Sequence, residues 1–127
     1  MRLKYFWKPF VWLIIIAVLS LIPGNDLPNS KFFIPHFDKI VHVGMYFFIC
    51  IFLISPFEKS RFGKGYVAAL LVSLFIGALL EVLQSTVAVN RSGNIADFIA
   101  DFIGALLALA LYRYFISGKK INILFTA

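Results

Sequence analysis

Asp38 and His42 lie four residues apart, Glu81 and Gln84 three apart, and Asp97 and Asp101 four apart, with Lys39 and Arg91 close by in the chain. On helices, each of these pairs would share one face. Carboxylates beside an imidazole could supply a general acid and a general base, or relay a proton. Asp38 would then orient His42 as the base, and Glu81 or Asp101 would serve as acid or metal ligand. Oxygen donors suit a hard divalent cation, so a metal at the carboxylate cluster is a second expectation. Lys39 and Arg91 could clamp a phosphate or carboxylate. The candidate catalytic residues are Asp38, His42, Glu81 and Asp101; the candidate ligand-binding set adds Lys39, Tyr46, Gln84, Arg91 and Asp97. None of these signals is specific alone. No zinc-type Cys/His spacing, phosphate loop or nucleophile elbow appears, and Cys50 is the only cysteine.

Each residue also has a structural use. Asp97 follows Asn94 by three, as in a capping box. Asp38 could be an N-cap, and Lys39 and Arg91 could snorkel to lipid headgroups. Tyr46 could belong to an aromatic belt at the membrane interface, as could Tyr5, Tyr66, Tyr112 and Tyr114 at the other face. Asp101 and Glu81 lie about a turn inside the expected helix ends, beyond the reach of simple capping, which favours function for them.

The elements that must hold these residues are written in the hydropathy. Of 127 residues, 61% are hydrophobic and 14% charged, a balance that points to an integral membrane protein. The expected fold is all-α: a polytopic membrane protein with four transmembrane helices, approximately 5–22, 38–55, 66–86 and 97–116, in one compact domain over 1–127. Pro9 is tolerated in the first turns of helix one, Pro23 and Gly24 end it, and Pro56 ends helix two.

Four spans place both termini and the middle loop on one side. That side collects Arg2, Lys4, Lys8, Lys59, Arg61, Lys64, Arg113, Lys119 and Lys120, against Lys31, Lys39 and Arg91 on the other. The positive-inside rule then puts both termini in the cytoplasm of a cytoplasmic-membrane protein and the polar cluster near the outer leaflet. The net charge of +6 is spent on topology, and no nucleic-acid partner is expected. Gly77, Glu81 and Gln84 form one stripe, and Asp97, Asp101, Gly104 and Ala108 another. Small residues beneath polar ones suit helices that approach closely in lipid.

The run Asp38-Lys39-Ile40-Val41-His42 followed by Tyr46, then Glu81 and Gln84, then Arg91, Asp97 and Gly104, resembles the VanZ-like family over roughly residues 20–115. These are small bacterial membrane proteins named for a member associated with teicoplanin resistance. The chain departs from the pattern at Asp101, where the family more usually has asparagine. The resemblance implies a multi-span envelope protein with a link to glycopeptide susceptibility or an envelope component, and it implies no reaction.

The leading expectation is an outward-facing site for a polar or lipid-linked envelope ligand, such as a lipid-linked precursor or a glycopeptide. The alternative is an intramembrane hydrolase or transferase on a lipid-linked substrate. A proton-coupled carrier is disfavoured by four short spans without repeat symmetry. A structural bundle whose polar groups only satisfy one another is the remaining reading.

Overall fold

A computed structural model describes residues 3–22, 36–59, 65–87 and 94–116. After a single 3₁₀ turn at Leu3–Tyr5 come four helices: α1 (Trp7–Leu21), α2 (Phe37–Lys59), α3 (Gly65–Val87) and α4 (Ile95–Leu111), the last continued by a π-helical turn at Tyr112–Ile116. No strand occurs among the described residues. The all-helical expectation holds. The helix lengths differ from it in two places.

Phe37–Lys59, Gly65–Val87 and Ile95–Phe115 are long and apolar enough to cross a membrane, whereas α1 has 15 residues. At ~1.5 Å per residue, α1 is about 22 Å long, short of the roughly 30 Å hydrocarbon layer. Pro9 occupies its first turn, where the missing N–H would have no intrahelical partner. Its C-cap, Ile22, has φ −58° and ψ 129°, the extended conformation that a residue before proline prefers. Pro23, Gly24 and Arg91 lie outside the described residues.

The second difference is Pro56, expected to stop α2 and found buried inside it, one turn before its end at Lys59. An internal proline costs about 3 kcal/mol, and tertiary contacts on the final turn offset it. The backbone of α3 packs directly against that of α2 at Gly65, where an added Cβ would stand 2.8 Å from the Glu58 nitrogen. Tyr112 donates its hydroxyl to Glu58 Oε2 at 3.2 Å, and Phe6 meets Phe57 edge-on at 5.6 Å.

α2 is the centre of the bundle, packing most extensively against α4, then α3, with α1 against α2 and α3. Ile16, Tyr46, Ile49, Ile54 and Tyr112 fill the interior. The stripe of small residues lets α4 approach: Ala100, Gly104, Ala105 and Ala108 are all buried. At Gly104 a Cβ would overlap the Val43 carbonyl oxygen and stand 3.0 Å from the Phe47 nitrogen. Outward positions are apolar too, among them Phe10, Leu71, Phe75 and Ile99, as surfaces that face lipid must be. The first turn of α1 and the last turns of α2 and α4 share one end of the bundle, since Lys59 lies over the Tyr5 ring and Tyr112 reaches Glu58.

Candidate functional site

The opposite end gathers the polar residues, because α2 and α4 start there and α3 finishes there. His42 Nδ1 and Asp101 Oδ1 are 2.8 Å apart, with side chains only 8% and 1% exposed. The imidazole is therefore oriented from α4. Asp38, expected to orient it, is 59% exposed and pairs with Lys39 at 3.0 Å. A spacing of four favours contact along one helix, but the tertiary partner offers a buried carboxylate directly opposite the ring.

Lys39 makes a shorter bond, 2.6 Å, to Asp97 Oδ1. It ties α2 to α4 rather than reaching only for headgroups as expected. The Asp97 side chain thus leaves the capping box unmade. Asn94 caps α4 by accepting from the Ala96 N–H at 2.9 Å, while the Asn94 N–H donates to Glu81 Oε2 at 2.8 Å. A carboxylate from α3 does what the box assigns to Asp97. Asp38 is not an N-cap either, since the helix starts at Phe37 and the amides of Lys39 and Ile40 donate to the His36 carbonyl.

His42, Glu81 and Asp97 each present a ligand-type atom within 4.8 Å of the others. Two carboxylates at that separation repel by about 3 kcal/mol or more at an effective dielectric of ~20. Among the described residues, Lys39 is the only lysine or arginine at this end, and Asp38 and Asp97 share it. Asp101 Oδ2 is buried and accepts no hydrogen bond from the described residues. It faces α3 at Gly77, where an added Cβ would stand 3.0 Å from it and 3.3 Å from Tyr46 Cε1.

Gln84 and Tyr46, two of the expected site residues, are buried in the packing. Gln84 is buried and donates to the Ser20 carbonyl at 2.9 Å, pinning the end of α1. Tyr46 is 2% exposed, packed below the polar cluster rather than in an interfacial belt. Tyr112, at the other end, is buried as well. Conversely, the sequence did not single out His36. It lines, with Lys39, Ile40, Val43, Ile99 and Ile103, an open groove of about 450 Å³ between α2 and α4. Its only sequence signal was a second imidazole two residues before Asp38.

A helical bundle with three membrane-spanning-length helices, apolar outside and with the Asp101 carboxylate and the His42 imidazole buried at one end, defines a multi-pass membrane protein. Residues 3–117 match the VanZ/LLP1 family model, and the chain belongs to that family. Neither curated proteins nor solved structures give a match to it.

Proposed function

We propose that this VanZ-like membrane protein binds a polar, lipid-linked ligand at the end of the bundle that carries His42, Glu81, Asp97 and Asp101. The observation that carries this reading is Lys39, which belongs both to the half-buried polar cluster and to the apolar groove. A groove between membrane-spanning helices opens toward hydrocarbon and suits a lipid chain. The adjoining cation and hydrogen-bonding groups suit the headgroup attached to it. The basic residues at the other end of the chain's topology support a position for this site at the outer leaflet of the cytoplasmic membrane. A bacterial envelope precursor, or a glycopeptide that binds one, is a ligand class that meets the chain there.

The hydrolase or transferase alternative keeps one supporting observation, the buried His42–Asp101 pair. A carboxylate on one ring nitrogen fixes the tautomer and leaves the other nitrogen to act as a base.

The test is binding of an extracted envelope lipid fraction to detergent-purified protein, followed by mass spectrometry of what co-purifies. Lys39→Ala and Asp97→Asn should lower the bound lipid-linked species by roughly tenfold, the scale of losing one charge-assisted contact. Equal recovery from parent and variants would sink the reading. Turnover of the bound species by parent but not His42→Ala would move the enzyme alternative ahead.

A further inference from the structure

We propose that His42, Glu81 and Asp97 form a divalent-cation site in which Asp101 is the positioning carboxylate behind His42. The proposal uses the same end of the bundle as the ligand-site reading but concerns what these side chains hold in the absence of any lipid.

The three residues come from α2, α3 and α4, and their ligand-type atoms lie within 4.8 Å of one another. Tetrahedral ligands at ~2.1 Å from zinc stand about 3.4 Å apart. Donor atoms that draw together by up to about 1.4 Å would close the set. An imidazole with two carboxylates is a nitrogen–oxygen donor set, which suits zinc or manganese better than calcium. Three protein ligands also leave a coordination position open for a water or a ligand oxygen.

Two features outside the donor set point the same way. Metal-bound imidazoles usually give their second nitrogen to a carboxylate, which fixes the ring and raises its basicity. His42 has that partner in Asp101, at 2.8 Å and buried. Asp101 keeps its other oxygen buried, without a donor among the described residues, and directed at α3 beside Gly77, one turn before Glu81. A carboxylate left this way in a low-dielectric interior is poorly compensated by neutral groups. A doubly charged ion one side chain away compensates it. The same ion would offset the repulsion between Glu81 and Asp97, where Lys39 is already shared with Asp38.

Asp38 is excluded from the site, since its carboxylate is largely exposed and turned to Lys39. That exclusion supplies the control. The experiment uses the full chain in detergent, stripped with chelator, reloaded with Zn²⁺, Mn²⁺ or Co²⁺ at micromolar concentration and washed. Metal is then measured by elemental analysis and thermal melting. The parent should retain one equivalent and melt higher than the stripped protein. Glu81→Gln and Asp97→Asn keep an amide oxygen for Asn94 and Lys39, so the fold is preserved, and both should lose the ion. His42→Ala should lose it too, and Asp38→Asn should keep it. Asp101→Asn should bind about 10–100-fold more weakly at unchanged stoichiometry, with altered visible bands in the cobalt form that a packing role would not produce.

A parent that retains no ion, or Glu81→Gln and Asp97→Asn proteins that retain it fully, overturns the proposal. If metal is absent while lipid recovery still falls in the Lys39 and Asp97 variants, the ligand-site reading stands and this one fails. Stoichiometric metal lost in the three ligand variants supports this one even where no lipid co-purifies.

Discussion

Asp101 has one carboxylate oxygen on the His42 ring and the other against the bare backbone of Gly77. The two contacts together decide what a methyl group at residue 77 would do. Gly77→Ala gains up to about 1 kcal/mol of helix propensity, yet its Cβ would stand 3.0 Å from Asp101 Oδ2. The carboxylate must then yield by tenths of an ångström, and it cannot do so without disturbing the bond to His42. Thermal stability should therefore change little, while metal affinity or lipid recovery falls roughly tenfold, the cost of a misplaced supporting carboxylate. A Gly77→Ala protein with unaltered binding would show that the niche is looser than its geometry indicates. The residue types of this site were legible in the sequence, because carboxylates inside apolar segments are rare and costly. Their pairing was not. Spacing reveals neighbours along one helix, such as Asp38 and His42, whereas Asp101 meets His42 only through the rotation of α4 about its own axis. The same limitation hid the exchange by which Glu81, not Asp97, takes the Asn94 N–H.

At the level of elements, α2 and α4 form the pair on which the site depends, and Gly104 sets their separation. An added Cβ would overlap the Val43 carbonyl, a backbone group that cannot swing aside as a side chain could. Gly104→Ala should push the helices apart and cost about 1–3 kcal/mol, read as a lower melting temperature in detergent. Because Lys39–Asp97 and His42–Asp101 both cross this interface, site function should fall with stability, unlike the response to Gly77→Ala. An unchanged melting temperature would mean that α4 has room the packing does not show. The small-residue stripe of α4 was readable in advance, as were the long apolar runs. The continuation of α2 through Pro56 was not, since a proline reads locally as a stop and the contacts of Gly65, Phe6 and Tyr112 on the last turn come from elsewhere in the fold.

For the whole molecule, the described ends gather at one end of the bundle and the polar cluster lies at the other. The positive-inside reading of lysine and arginine, which we propose for this chain, expects the first of these in the cytoplasm. A fluorescent protein fused after Ala127 should therefore fluoresce in cells. In a Cys50→Ser background, Arg91→Cys should react with a membrane-impermeant maleimide added from outside. A dark fusion and an unlabelled cysteine would turn the site to the cytoplasmic face and remove the outer-leaflet ligand from consideration.

The bond from Gln84 to the Ser20 carbonyl bears on the order in which the chain is made. Ser20 lies in the last turn of α1, where carbonyls lack an intrahelical donor. Its partner is encoded 64 residues later. At ~5–20 residues per second, a ribosome needs roughly 3 to 13 s to deliver it. For that interval α1, the shortest of the four described α-helices, has an unmet acceptor at its end. The arrival of α3 completes α1, and the first helix made is among the last to be secured.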